Sequence, residues 1–256
     1  NANFPAATTF GNSITGPNAD AILKTLSDAI PHKVTAGWNR MLALAVSCID
    51  PRANRPYVDI LFNALKGGSG AVEGCDGYDH IGLINCAGGI LAQDPEMFEL
   101  QTPNLIAKHE YALDSAGAGR WRGGLGVESI IRFNGDECKG VVFGDGIDKE
   151  TRAFGLFGGN AGSINEMEFK FPDGSRHRPK SKEIVSEIPP GTVLRQVAGG
   201  GGGYGEPTLR PVERVMREVR NGTLSLEKAK EEYGVVIDPG TRALDEAQTE
   251  DLRGKI

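Results

Sequence analysis

Several features that would assign a protein to a class at once are scarce or missing in this sequence. Its 256 residues include four cysteines, none of them in a CxxC pair, and aromatic residues make up 7% of the chain. No apolar run approaches the roughly 20 residues needed to cross a bilayer. The formal net charge of -6 gives no general attraction for nucleic acid. We therefore expect a soluble, cytoplasmic protein that binds neither a membrane nor nucleic acid and keeps its cysteines as reduced thiols.

Glycine, in contrast, is abundant. The 36 glycines are about twice the average usage, and 14 prolines accompany them. Such a composition favours turns and close approaches between backbone segments over long helices, which excludes an all-helical bundle. The chain is long enough for one large or two small hydrophobic cores.

The first part of the chain predicts mixed secondary structure. Apolar residues at helical spacing predict a helix from Asp20 to Ile30, capped by Asn18 and ended by Pro31. The apolar run Met41–Ile49 fits a buried strand or a core helix, and periodicity does not separate the two. The glycine cluster at 67–70 predicts a turn or a close backbone approach.

The predicted secondary structure changes twice along the rest of the chain. Short β-rich pieces separated by Asn-Gly, Asp-Gly and Gly-Gly signals are predicted at 129–133, 140–143, 166–171 and 192–198. Two helices follow, at 212–220 and at 225–233, the second with Ser225 as its cap and Gly234 at its end. A short Val-Val-Ile strand and a polar end complete the tail.

These patterns together predict an α+β fold: a glycine-rich, β-dominated module with flanking helices and a helical C-terminal tail. We divide the chain into a mixed α/β part at 1–128, a β-rich module at 129–210 and a helical tail at 211–256.

Residues 114–126 are the segment with the most chemical content. Arg120 and Arg122 are two residues apart, so in an extended stretch they would point to the same side and could chelate a carboxylate or phosphate. Asp114 could fix that fork while Trp121 faces the core. We predict Asp114, Arg120 and Arg122 as catalytic, anion-positioning residues; the alternative is an Asp–Arg ion pair that staples a glycine-rich bend.

Consecutive glycines could supply further anion donors, because their backbone N–H groups can converge on one point. The run at 199–203 follows a predicted strand, yet no Gly-Lys-Ser/Thr follows it, so it is not a Walker loop. A structural crossing under Tyr204 is the alternative. The predicted anion-binding residues are Gly123, Gly124, Gly200, Gly201 and Gly202.

A metal site is weakly indicated at one place. Cys75, Asp76, Asp79 and His80 gather metal-ligand side chains within six residues, but their spacing matches no zinc motif and Asp-Gly is common turn chemistry. We assign no metal ligand. The other histidines, which we interpret as surface or core residues, are His32, His109 and His177.

Several of these segments, taken in order, resemble the C-terminal part of the hydantoinase B/oxoprolinase family. They are 114–127, 154–162, 199–207 and 221–237, with weaker likeness at Asn12 and at 67–77. The resemblance implies a B-type subunit of an ATP-dependent complex, in which an A-type ATPase subunit holds ATP and magnesium and phosphorylates the substrate. Known outcomes are hydrolysis of hydantoins, 5-oxoproline and lactams, or carboxylation of ketones such as acetone and acetophenone.

The sequence departs from that family in length. The His-Leu-Gly and Asn-Asp-Pro motifs that resemble metal ligands lie in the N-terminal half of such subunits, and this chain has neither. We therefore expect a C-terminal half, natural or cleaved, with a divalent metal in the missing N-terminal half and no cofactor on this chain. The expected partners are that half and the A-type subunit, in a hetero-oligomer that covers Met41–Ile49 and the glycine-rich bends. A non-catalytic assembly module is the alternative to an enzyme component.

Overall fold

Two antiparallel sheets form the centre of the computed structural model, which describes residues 12–86 and 90–254. The first sheet has the strand order β2-β1-β5-β8, and the second has β3-β4-β9-β6-β7. The strands are β1 (Leu42–Asp50), β2 (Arg55–Ile60), β3 (Leu105–Tyr111), β4 (Val127–Arg132), β5 (Asp136–Gly144), β6 (Glu166–Lys170), β7 (Arg176–His177), β8 (Lys182–Ile188) and β9 (Val193–Ala198).

The described residues also contain six α-helices, and none of them is both long and apolar enough to cross a membrane. They are α1 (Asn12–Leu26), α2 (Phe62–Leu65), α3 (Pro95–Gln101), α4 (Val212–Arg220), α5 (Leu226–Tyr233) and α6 (Glu246–Gly254). The predicted α+β fold is confirmed.

The main hydrophobic core lies between the two sheets. Leu44 and Val142 come from the first sheet and Phe169 and Leu194 from the second, and all four are almost fully buried. Strand β1 pairs with β2 on one side and β5 on the other, which settles the apolar run Met41–Ile49 as a strand. The expectation that partner chains cover this run is wrong, because residues of the same chain bury it.

The cysteine expectation also needs correction. Cys48 and Cys138 form a disulfide, since the antiparallel pairing of β1 with β5 places their Cα atoms 4.1 Å apart. The remaining two cysteines, Cys75 and Cys86, are free. Sequence spacing hid the pair because 90 residues separate its members.

The first helix differs most from its prediction. Helix α1 begins at Asn12 and includes Pro17, so Asn18 lies within the helix and does not cap it. Its end comes at Leu26, five residues before Pro31, which opens a short 3-10 turn. Ile22 is 60% exposed on this helix. The apolar spacing therefore marks a surface that the described residues do not bury.

The C-terminal tail matches its prediction closely. Helix α4 has the predicted bounds, and in α5 the Ser225 side chain accepts a hydrogen bond from the Lys228 N–H as an N-cap. Gly234 ends α5 at φ 64°, a left-handed conformation that favours glycine. The Val-Val-Ile segment forms only an isolated bridge at Ile237, and the polar end that follows contains the helix α6.

The predicted boundary at residue 128 does not separate hydrogen-bonded units. Strand β1 pairs with β5 and strand β3 pairs with β4 across it. The parts 1–128 and 129–210 therefore share both sheets and the core between them.

Four glycine-rich segments with little regular secondary structure pack side by side; we call residues 67–71, 115–126, 153–162 and 199–205 the glycine bundle. Segment 199–205 contacts the other three through backbone hydrogen bonds: Gly68 N–H donates to Gly199 O, Gly201 N–H to Gly124 O, and Gly203 N–H to Asn160 O. Gly199 to Gly203 are all buried. A Cβ atom on Gly201 would overlap the carbonyl group of Ser69, so only glycine allows this approach.

Replacing Gly201 by alanine should destabilise the chain by about 3 kcal/mol, because the new methyl group meets backbone that cannot move without breaking other hydrogen bonds. The matched control is Gly16→Ala, since Gly16 lies in α1 with open space around it. That variant should keep or gain stability, by up to about 1 kcal/mol. Urea and thermal unfolding of both variants measure the difference; equal stability would contradict the role of the bundle.

Candidate functional site

Arg122 leaves the glycine bundle and enters a buried group of charges. Its guanidinium donates to Asp79 Oδ1 at 2.8 Å and Oδ2 at 3.2 Å, and to Glu218 Oε1 on α4 at 2.9 Å. Its backbone N–H donates to Asp76 Oδ1 at 3.0 Å. Arg122 thus connects two carboxylates of the 76–79 turn to one on the C-terminal tail.

A second arginine completes this arrangement. The Arg210 side chain is fully buried and donates to both oxygens of Asp76 at 2.8 Å and to Glu218 Oε1 at 2.6 Å. Arg214 reaches Asp76 more loosely, at 3.5 Å. We call Asp76, Asp79, Arg122, Arg210 and Glu218 the buried ion network.

The charges of the network compensate one another. Burial alone would raise the pKa of the Asp76 carboxyl, but the hydrogen bonds and charge of Arg210 outweigh it and lower that pKa. The carboxylates in turn raise the pKa values of Arg122 and Arg210 against the opposing effect of burial. Both guanidinium groups are therefore charged and held by acids of the same chain.

The three predicted catalytic residues do not meet at one point. The Arg120 side chain is exposed and lies over the Trp121 ring, 4.8 Å from its centroid, whereas Arg122 is mostly buried. Asp114 Oδ1 accepts from the Ser225 N–H at 2.8 Å and so ties the bundle to α5. The expectations of a shared fork and of Asp114 as its anchor are wrong; Asp79 and Glu218 hold Arg122.

Asp114 instead lines an open cleft of about 390 Å³ between the bundle and α5. Three cationic side chains, Lys149, Arg152 and Lys228, line the same cleft, and Glu232 pairs with Lys228 at 3.3 Å. A catalytic role for Asp114, Arg120 or Arg122 stays a prediction.

The backbone N–H groups of the five predicted anion-binding glycines already have acceptors. Gly200 donates to the Ser163 hydroxyl. The other donors and their carbonyl acceptors are Gly123 to Gly117, Gly124 to Ser69, Gly201 to Gly124, and Gly202 to Gly37. Anion binding there stays a prediction, and it would require bonds of the bundle to open. The alternative of a structural crossing fits these bonds, with the Tyr204 ring near that of Trp121.

The described residues contain no group of three or more His, Cys, Asp or Glu side chains arranged to hold a metal ion. The side chains of the candidate metal set at residues 75–80 do not converge on one point. Asp76 and Asp79 bind arginines, while Cys75 is exposed. Asp76 and Asp79 are thus engaged by cations of the same chain, and the absence of a metal ligand among these four residues stays a prediction.

Sequence reasoning missed Arg210 and Glu218. Arg210 stands between turn residues and Pro211, where nothing marks it as buried. Glu218 carried a signal, because it falls three residues after Val215 on the buried face of α4. An acidic residue on an apolar helix face indicates a buried partner of opposite charge.

Comparison with known proteins identifies relatives of this chain. The family model for hydantoinase B/oxoprolinase matches residues 1–207. The beta subunit of the caprolactamase of Pseudomonas jessenii is 34% identical over 240 residues, which is 90% of this chain and 40% of that protein. The B-type subunit of a putative D-/L-hydantoinase from a Pseudomonas strain is 27% identical and covers 98% of this chain and 41% of that one.

Solved structures agree with the sequence matches. The ATP-dependent caprolactamase from Pseudomonas jessenii superposes with a TM-score of 0.74 at 32% identity, over 90% of this chain and 40% of that one. A nucleotide-free acetone carboxylase reaches 0.76 at 22% identity, over 93% of this chain and 36% of that one, which shows a shared fold. The chain thus spans about two-fifths of the relatives it matches.

Arg122→Lys should lower stability by about 2 kcal/mol, because lysine keeps the charge but loses the hydrogen-bonding fork that joins Asp79 to Glu218. Arg120→Lys is the matched control and should cost less than about 1 kcal/mol, since the Arg120 side chain lies over the Trp121 ring and is exposed. Thermal unfolding measures both. In the assembled complex, a large fall in turnover at an unchanged melting temperature would contradict a purely structural role for Arg122.

Proposed function

Because this chain belongs to the hydantoinase B/oxoprolinase family, we propose that it is the C-terminal part of a B-type subunit in an ATP-dependent complex. In this proposal the complex hydrolyses a cyclic amide through a phosphorylated intermediate. The observation that carries the choice of reaction is the similarity to the caprolactamase beta subunit, which extends over nine-tenths of this chain. A lactam is therefore the first substrate class to test.

The proposal divides the work between parts of the complex. An A-type subunit would bind ATP and magnesium and phosphorylate the poorly electrophilic amide. The N-terminal part of the B-type subunit would hold a divalent metal. The described residues of this chain do not fit such a metal, so no step through it is assigned to them. Their contribution is a rigid wall that keeps an activated intermediate from bulk water.

Exposed apolar side chains support association with such partners. On α1 and directly after it, Ile22, Leu26 and Ile30 are between 40% and 60% exposed. On the two edge strands of the first sheet, Val58 and Ile184 are more than 70% exposed. Ile22 and Leu26 are four residues apart on α1 and so lie on one face, an apolar strip of the kind that another chain can cover. Single exposed residues such as Val58 and Ile184, in contrast, are common on protein surfaces.

A ketone carboxylase is the second candidate, because the acetone carboxylase has the same fold over nearly the whole chain. Both reactions would use a phosphorylated species, so the shared fold does not distinguish them. A non-catalytic assembly role is the third. It is supported by the hydrogen bonds of the bundle and the ion pairs of the network, which are formed within the chain.

The test is reconstitution. The chain alone should hydrolyse neither ATP nor substrate, whereas the chain combined with the N-terminal part and an A-type subunit should open caprolactam, hydantoin or 5-oxoproline only with ATP. Product analysis by mass spectrometry, with acetone and acetophenone plus bicarbonate in parallel, separates hydrolysis from carboxylation.

Three outcomes would count against parts of the proposal. Turnover by the isolated chain would contradict the need for partners. Carboxylated ketone without ring opening would select the second candidate. Full turnover by the other parts without this chain would select the assembly role.

A further inference from the structure

A second group of charged and titratable side chains lies apart from the buried ion network. Lys66 follows α2 directly and is 3% exposed, yet its ammonium group forms no ion pair or hydrogen bond with the described residues. All 34 Asp and Glu residues of the sequence belong to the described part, so no side-chain carboxylate of the chain neutralises it. Lysine side chains are rarely buried to this extent unless they are paired, so the position of Lys66 indicates a missing counter-charge.

Two half-buried imidazoles accompany this lysine. The rings of His80 and His109 meet edge to face, with 5.0 Å between their centroids. His109 Nδ1 lies 2.9 Å from the Ser129 hydroxyl on β4, and His80 Nε2–H donates to the Asn63 carbonyl at 3.4 Å. If the Ser129 hydroxyl donates to Nδ1, the Nε2–H of His109 remains a free donor.

The backbone of His80 is strained. Its φ of 47° is unusual for a residue with a Cβ atom. The neighbouring bonds hold it there: His80 N–H donates to Leu125 O, and Ile81 N–H donates to Gly67 O. Strained backbone that the surrounding structure enforces is concentrated at binding and catalytic sites.

Lys66 is the charged member of the group, and its charge helps to keep both imidazoles neutral. Burial, the charge of Lys66 and the neighbouring His109 lower the pKa of His80 to about 4. Burial and Lys66 also lower the pKa of His109, and burial lowers the pKa of Lys66 itself. Asp79, the acid beside His80 in sequence, is engaged by Arg122 and the Leu125 N–H.

We propose that Lys66, His80, His109 and Ser129 form a binding site for a small oxyanion, the carboxylate or phosphate group of a ligand. Lys66 supplies the positive charge that pairs with the anion, and His109 supplies a hydrogen-bond donor positioned by Ser129. His80 forms the facing wall. An anion removes the cost of burying Lys66, and the partial exposure of both imidazoles leaves it a way in. This assignment goes beyond the proposed function, because it concerns binding and holds whichever reaction the complex performs.

The four histidines of the chain make the site directly observable. The full chain, in the assembly in which it is isolated, is labelled with 13C at histidine Cε1 and titrated with inorganic phosphate and, separately, with acetate at constant ionic strength. The His80 and His109 resonances should shift saturably with one shared dissociation constant. His32 and His177 pair with Glu73 and Glu183, so they serve as internal controls and should not follow that curve.

Lys66→Met tests the source of the charge. The variant should fold, because it replaces an uncompensated buried charge by an apolar chain of similar length, and its melting temperature without anion should equal or exceed that of the unaltered chain. It should bind the preferred anion at least tenfold more weakly and lose the thermal stabilisation that the anion gives. The matched control is Lys170→Met at the exposed end of β6, which should bind normally.

Each arm of the titration has a defined meaning. Tighter binding of phosphate than of acetate identifies a phosphate group as the ligand chemistry, and the reverse order identifies a carboxylate. Shifts of equal size on all four histidines, no saturable shift with either anion, or unchanged affinity in Lys66→Met would each overturn the proposal.

Discussion

The close approach of backbone segments in the glycine bundle is the constraint on which the rest of the structure depends. Carbonyl groups of Ser69, Phe154 and Ala118 occupy the positions where side chains of Gly201, Gly202 and Gly203 would begin. Segments 115–126 and 199–205 each exchange hydrogen bonds with the three other segments of the bundle, whereas a strand inside a sheet pairs with two neighbours. The gain is a compact backbone core, and the cost is that the bundle has few side chains with which to hold the surrounding elements.

The buried ion network and Asp114 connect the edge of the bundle to the helices around it. Arg122 and Asp114 extend from the same glycine-rich stretch of chain, and each fastens a different helix of the tail: Arg122 holds α4 through Glu218, and Asp114 holds the start of α5. Arginine suits the first position because its planar fork serves two carboxylates at once. Breaking one buried pair leaves its partner uncompensated, at a cost of about 3 to 5 kcal/mol, so the network makes the tail part of the same folding unit.

Local signals in the sequence were sufficient where local physics decides the structure. Ser225 and Gly234 determined the ends of α5 because a cap and a left-handed glycine act on adjacent backbone groups. The partners of Arg122 could not be read in the same way, since Glu218 is 96 residues away and meets Arg122 only in the folded chain. The disulfide and the true neighbours of the glycines were hidden for the same reason, because strand pairing and bundle packing bring distant segments together.

The buried ion network and the group around Lys66 differ in one physical respect, and that difference bears on function. In the ion network each guanidinium pairs with carboxylates of the same chain, so its charge is compensated within the fold, although Nε of Arg210 has no hydrogen-bond partner. At Lys66 the chain buries a cation without an acid and places two imidazoles of lowered pKa beside it. Evolved folds retain uncompensated charge where binding or chemistry uses it. By this argument Arg122, predicted as catalytic from the sequence, contributes to holding the fold together, whereas the proposed anion site combines His109, which looks isolated in the sequence, with His80 from the segment first considered for a metal.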